Sequence, residues 1–395
     1  MEKETRLVHA GRDPDGHQGA VNPPLYRAST ILYPTLAAYE KRNERIYTSY
    51  GYGIHGTPTT IALAEALTEL SGGARTLLLS SGLSAVTQAL TAFLRRDDHL
   101  LIADTVYGPT RVFCTEVLRR YGVEVTFYDP LIGAGIAGLM RPSTRVVYLE
   151  SPGSQTFEIQ DVPAIAAAAR AHGALVFLDN TWATPLHFRS FEHGVDVEIQ
   201  ALTKFVAGHS DLLLGAVTMR TEELYRVARD GASTFGDCPA PDLCYEALRG
   251  LRTLAVRFRH HEASALRIAE WLGRRPEVAR VLHPGLPEDP GHAIWKRDFR
   301  GASSLFGVLL RTRSERAVAA MVDGLRLFKI GASFGGFESL VVPARPVRTA
   351  KPWQASGFLL RLHVGLEAVE DLITDLEAGL SRLRVVLTNE GEAAG

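Results

Sequence analysis

Between residue 61 and about residue 220, short apolar runs alternate with stretches of helical period, and this alternation constrains the fold more than any other feature. The runs are "TLLLS" (76–80), "HLLIAD" (99–104), "VEVTFYD" (123–129), "RVVYLES" (145–151), "ALVFLDN" (174–180) and "VDVEIQALT" (195–203). Between them come "LSAVTQALTAFL" (83–94), "TRVFCTEVLRRYG" (110–122) and "DVPAIAAAARAHG" (161–173). In the first of these, Ala85, Val86, Ala89, Leu90 and Phe93 share one helical face. Strands that are apolar on both faces need cover on both sides, and the intervening helices supply it. The pattern predicts an α/β fold with a mostly parallel, covered sheet.

At 395 residues the chain is too long for one ordinary core. A helical stretch over about 241–273 leads into "SLFGVLL" (304–310), "ESLVVP" (338–343) and "FLLRLHVG" (358–365), which read as strands. The last helical pattern places Val369, Leu372, Ile373, Leu376, Leu380 and Leu383 along one stripe. The expectation is a large domain over 61–250 and a smaller α+β domain over 251–395. Residues 1–60, rich in Gly, Pro and Tyr, have little periodicity and read as an arm.

Net charge is −1, which favours neither nucleic acid nor an anionic membrane as partner. The start, "MEKETRLVHAGRD", has no apolar signal core, and no run approaches the roughly 20 apolar residues of a membrane span. Cys114, Cys238 and Cys244 are odd in number and form no CxxC, and the histidines form no HExxH. Neither a disulfide framework nor a metal site is expected. The expectation is a cytoplasmic, metal-free globular protein.

In open α/β sheets, ligands bind beyond the carboxyl ends of the strands. Three polar groups fall at such ends. Gly82 follows "TLLLSS" and opens a helix, so the N–H groups of Gly82 and Leu83 are placed to meet a phosphate. Asp179 ends an apolar strand, where an unpaired carboxylate is costly. Lys204 ends "VDVEIQALTK". Singly, these are two ordinary caps and a solvated amine. Together they suggest a pyridoxal 5′-phosphate (PLP) site, with the lysine as Schiff-base partner and the aspartate paired with the pyridinium nitrogen. Arg361, inside the alternation "FLLRLHVG", needs a carboxylate, either from an amino-acid substrate or from an internal Asp or Glu. One further stretch, "YGIHGTPTT" (52–60), runs into a helix start at Thr57–Pro58 and reads as an anion cradle, with Tyr47, Tyr50 and Tyr52 at or just before it.

"YLESPGSQTFEIQDVPAI" (148–165), "FLDNTWATPL" (177–186) and "EIQALTKFVAGHSDLLLGAV" (198–217) closely resemble the Cys/Met-metabolism family of PLP enzymes. The likeness continues in "RGLRTLAVR" (249–257), "HPGLPEDPGHAIWKRDFRGASSLF" (283–306), "SFGGFESL" (333–340) and "RLHVGLE" (361–367), and covers essentially residues 5–385. The resemblance implies the PLP-dependent transferase-like fold (fold type I, aspartate aminotransferase-like). "ESPGS", "DNTWA" and "KRDF" look most like the bacterial branch that β-eliminates cystathionine.

The roles that follow are implied by the resemblance. Lys204 is the cofactor lysine and base, and Asp179 the pyridinium partner. Tyr107 stacks on the ring and assists the base. Gly82, Leu83 and the Thr203 hydroxyl hold the phosphate. Arg361 binds the substrate carboxylate, beside Ser333 and Phe334. The substrate is a small amino-acid thioether. Tyr52 reaches the phosphate of a neighbouring subunit, so a homodimer is the minimum active unit and a tetramer of two such dimers is usual. Three positions depart from the family pattern: Ile54 stands where Arg is usual, Phe334 where the most similar β-lyases carry what looks like Trp, and Ala201 where many members carry Ser. The rival activities are those of γ-acting members and of broader cysteine-S-conjugate β-lyases, and the non-enzyme alternative is a catalytically dead binding protein on the same fold.

Overall fold

The computed structural model describes residues 2–47 and 50–391. Seven strands form the larger sheet: β1 (Arg75–Leu79), β2 (His99–Ala103), β3 (Glu124–Tyr128), β4 (Thr144–Glu150), β5 (Leu175–Asp179), β6 (Val197–Ala201) and β7 (Gly215–Met219). Their order is β1-β7-β6-β5-β4-β2-β3. From β6 to β3 every pairing is parallel, and only β7 runs antiparallel to both of its neighbours. The six strands expected from the apolar runs all form. β7 was not foreseen, because "GAVTM" is five residues long, opens on glycine and carries a threonine, leaving too little pattern to read. That glycine is required by close approach: a Cβ on Gly215 would lie 2.2 Å from the Ser81 carbonyl oxygen.

Helices cover this sheet as the alternation demands. The helix Gly82–Phe93 leaves directly from the carboxyl end of β1, with the Ser81 hydroxyl accepting the Ser84 N–H at 3.0 Å as N-cap. Ala85, Val86, Ala89 and Leu90 are buried in the core. The stretch expected as one helix over 110–122 instead changes pitch: an α turn over Gly108–Val112, a wider π turn over Phe113–Leu118, then a 3₁₀ turn over Arg119–Tyr121. Likewise, 241–273 is two helices, Pro241–Arg252 and Leu254–Gly273, broken at Thr253. Arg257, on the second, donates to the carbonyls of Phe205 (2.6 Å), Val206 (3.1 Å) and Gly250 (2.8 Å), fixing the backbone just after Lys204.

The second sheet comprises β8 (Val278–Leu282), β9 (Leu305–Leu310), β10 (Lys329–Ile330), β11 (Leu340–Pro343) and β12 (Phe358–His363), in the order β10-β11-β12-β9-β8. Three of these were read from sequence. β8 was missed because exposed Ala279 and Arg280 interrupt its apolar pattern, and β10 because it is two residues long. The last helix, Val369–Glu390, buries Leu372, Leu376, Leu380 and Leu383 as expected. The two halves are tied at Asp104, just beyond β2, which accepts the N–H groups of Thr349 and Ala350, each at 2.8 Å, and pairs with Arg111.

Near the N-terminus, the helix Lys3–His9 buries Leu7 in a cluster with Ala62, Ala66 and Leu63. Beyond it the chain up to residue 47 is mostly extended or in turns, and Leu32 is 88% exposed. No helix among the described residues is long and apolar enough to cross a membrane.

Candidate active site

A cleft of about 350 Å³ opens beyond the carboxyl ends of the parallel strands, where the large sheet meets residues 332–334 and β12. Gly82, Leu83, Tyr107, Asp179, Thr203, Lys204, Ser333, Phe334 and Arg361 all line it. Tyr52 does not: it is 52% exposed and lines a separate depression with Tyr33, Tyr39 and Arg42.

β6 stops at Ala201, so Lys204 lies in the turn that follows the strand rather than at its last residue. Its Nζ donates to the Ser333 hydroxyl at 2.5 Å and sits 5.0 Å from the centre of the Phe334 ring. Burial first, and then the nearby Arg361 cation, bring its pKa down to about 8, while Asp179 pulls the other way. Asp179 ends β5 and accepts the Thr181 N–H at 3.0 Å. Burial raises its carboxyl above the usual range. Arg361 forms no ion pair among the described residues; its Nη2 donates to the Ser333 carbonyl at 3.4 Å, a long bond. Of the two partners open from sequence, the internal carboxylate is therefore absent, and burial lowers the guanidinium's pKa.

Ser333 has φ +97°, a strained value for a residue with a side chain. Its hydroxyl and carbonyl serve the two cations of the cleft. The helix Gly82–Phe93 opens on the same cleft, and its first N–H groups have no partner within the helix. A Cβ on Gly82 would sit 2.5 Å from the Ala201 Cβ, so a side chain there would intrude on the cradle. Thr203 differs in detail from expectation, since its hydroxyl already donates to the Leu214 carbonyl (3.2 Å) and accepts the Leu214 N–H (3.0 Å).

One functional group was missed. Glu150 ends β4 and stands directly opposite Asp179 in the parallel register. Its Oε2 accepts the Tyr107 N–H at 2.7 Å, and burial together with the Asp179 charge pushes its carboxyl well above the ordinary range. The sequence carries its signal: a carboxylate closing the apolar run "RVVYLE" repeats the pattern of Asp179 at the end of "ALVFLD". Trp182 and Phe157 also line the cleft, and the Trp182 indole N–H is spent on the Leu305 carbonyl at 3.0 Å.

A lysine of lowered pKa, a strand-end carboxylate and an open helix N-terminus in one cleft are the donor set that a phosphorylated pyridine aldehyde requires. A sequence model of the Cys/Met metabolism PLP-dependent enzymes matches residues 4–381. The chain belongs to this family. A Rhizobium johnstonii relative carrying a provisional cystathionine β-lyase name is 49% identical, over 97% of this chain and 96% of its own. The cystathionine β-lyase of Escherichia coli K12 is 42% identical, over 96% and 98% of the two chains. Among solved structures, the cystathionine γ-synthase of Xanthomonas oryzae pv. oryzae, in complex with aminoacrylate and cysteine, superposes with a TM-score of 0.89 at 34% identity, covering 98% of this chain and 99% of that one. As a member of a PLP-dependent family the chain is an α/β protein of fold type I, and the cleft residues fit that cofactor.

Proposed function

We propose that this PLP enzyme is a carbon–sulfur lyase that β-eliminates L-cystathionine or a related cysteine thioether, releasing homocysteine or the corresponding thiol, pyruvate and ammonia. The observation that carries this reading is the convergence in one cleft of Lys204, Asp179 and an Arg361 that meets no carboxylate among the described residues, and the β-lyase names of the relatives at 49% and 42% identity support it. The N–H groups of Gly82 and Leu83 would hold the phosphate, joined by Thr203 only if its hydroxyl turned from Leu214, while Tyr107 would stack on the ring and Asp179 would pair with the ring nitrogen. When bound, PLP supplies the electron sink that acidifies the substrate Cα–H.

The chain's own groups do the rest. Arg361 binds the α-carboxylate through a bidentate fork and so orients Cα toward Lys204. With a pKa near 8, Lys204 offers a neutral amine in about a tenth of molecules at pH 7, against less than a thousandth for an unperturbed lysine. Its Nζ takes the α-proton and returns a proton to the departing sulfur, so the C–S bond breaks to a neutral thiol. Tyr107 stays a protonated phenol, because burial raises its pKa, and it assists beside the base. Opposite charge stabilises opposite charge, so an ionised Asp179 beside the ring nitrogen keeps that nitrogen protonated.

In this reading the protein works in the cytoplasm as a homo-oligomer, a dimer of active dimers. Residues 1–60 form the arm that lends Tyr52 to the neighbouring site, residues 61–250 the cofactor domain and 251–395 the smaller domain. Incubation with L-cystathionine and identification of the products tests the reaction. Pyruvate with homocysteine is expected. Cysteine with 2-oxobutyrate means a γ-acting enzyme, an activity that the same fold carries in the Xanthomonas protein.

A further inference from the structure

His363 is buried to 1% exposure, two residues beyond Arg361 on β12, and the mechanism above gives it no task. Because strand residues two apart share a face, Arg361 and His363 point to the same side. Leu360 and Leu362 lie in the core of the second sheet. What the Arg361–His363 face meets is the turn 333–336. The Gly335 N–H donates to His363 Nε2 at 3.1 Å, and Nδ1 lies 2.9 Å from the Ser304 hydroxyl. The Gly336 carbonyl, 3.2 Å from the same Nε2, serves the other neutral tautomer, so either tautomer grips this turn. Burial holds the ring neutral, with its pKa down at about 3.

The gripped turn is the one that carries Ser333. Ser333 at φ +97° and Gly335 at φ +82° are both left-handed, and a Cβ on Gly335 would lie 2.6 Å from the Phe205 nitrogen. The turn is therefore pressed against the backbone that bears Lys204. A strained residue persists only where its surroundings over-determine it. Ser333 is held from one side by Lys204, and Arg361 adds only a bond of 3.4 Å. The Gly335–His363 bond, two residues on, is a firm anchor that does not involve a reacting group.

We propose that His363 is a positioning residue: its imidazole anchors Gly335–Gly336, holds Ser333 in its strained conformation, and thereby aims the Ser333 hydroxyl and carbonyl at Lys204 and Arg361. The part concerning substrate affinity rests on Arg361 as the carboxylate receptor; the anchoring does not.

The test compares His363→Leu, which fills the space without polar atoms, with His363→Gln, whose amide reaches the Nε2 position. The readouts on the holoenzyme are amide hydrogen exchange over 333–336, KM and kcat for L-cystathionine, and thermal stability. In His363→Leu, exchange over the turn should quicken at least tenfold and KM should rise about tenfold, the loss expected for one buried hydrogen bond, with kcat changed less. His363→Gln should restore both. Wild-type exchange in a folded Leu variant overturns the proposal, as does a Gln variant as impaired as Leu. Should the Leu variant fail to fold, the Gln variant decides alone: retained protection supports the anchor and lost protection overturns it. Faster exchange with KM and kcat both unchanged upholds the anchor and overturns the part of the proposal in which it aims Ser333 at the two cations; Arg361 as receptor is tested separately by its own alanine variant.

Discussion

Replacing Arg361 with alanine separates binding from stability in a way few substitutions do. The guanidinium is mostly buried, has no carboxylate partner among the described residues, and makes one long bond to the Ser333 carbonyl. Removing it therefore costs the fold little: a weak bond is lost, while a cation whose burial is unfavourable goes with it. The melting temperature should stay within about 2 °C of wild type, since the loss of one long bond is offset by relief of the buried cation's desolvation. The substrate loses far more. Two charge-assisted bonds to its α-carboxylate disappear, worth together about 2–4 kcal/mol once water is allowed to compete. At 1.4 kcal/mol per tenfold, kcat/KM for L-cystathionine should fall by roughly 30- to 700-fold, mostly through KM. Pyruvate release in a lactate dehydrogenase-coupled assay measures this, and a thermal melt of the same preparation gives the control. Arg361→Lys should recover only part of the loss, because an ammonium cannot offer the planar fork. An unchanged KM, or a collapse in melting temperature like that of a broken buried ion pair, would refute the reasoning.

Three other outcomes are expected. Because Lys204 sits near pKa 8, capture of PLP by the apoprotein should quicken about tenfold per pH unit up to pH 7 and level off above 8; a rise continuing past pH 10 would contradict the burial argument. Glu150 is raised by burial, so folding favours its protonated form, and stability present below the unfolded pKa is lost as pH rises through the folded one. Glu150→Gln apoprotein should accordingly melt higher than wild type at pH 8, with the difference vanishing toward pH 4; the opposite trend in paired melts would show that the carboxylate is stabilised as an anion. Ile54→Arg should tighten PLP binding about tenfold, as one exposed charge-assisted bond to a neighbouring subunit's phosphate allows, while the product spectrum stays the same; equal or weaker cofactor retention on dialysis would remove the loop from the phosphate site.

The large sheet was legible because its parallel strands are buried on both faces, which forces unbroken apolar runs such as "HLLIA" and "LVFL". β7 and β8 were not, since each is short and β8 exposes two consecutive residues, Ala279 and Arg280, so local pattern and final pairing part company. The break at Thr253 is likewise invisible locally: both flanking helices have helical period, and Arg257 just beyond the break bonds to carbonyls some 50 residues earlier in the chain, a contact no local pattern announces. Site residues at strand ends could be picked out because a charge that ends an apolar run must be doing something. Ser333 is reached from the sequence only through the family resemblance, because its importance lies in a backbone angle and in the two cations it meets.

The pairing of Glu150 with Asp179 carries this reasoning one step further. Each ends its strand, and parallel pairing sets the two in register, so topology alone brings two carboxylates side by side. Two such groups in a dry cleft do not both ionise without cost. The structure divides the labour. Burial and the Asp179 charge act on Glu150, whose Oε2 meets the Tyr107 N–H; Asp179 takes an N–H from Thr181 and feels the Lys204 cation. Burial and the Asp179 charge push Glu150 further toward its protonated form than Asp179, which the Thr181 N–H and the Lys204 cation draw back toward the anion. In the proposed mechanism, a carboxyl biased toward its neutral form while it fixes the backbone of Tyr107 would leave its neighbour to bear the negative charge that faces the cofactor ring.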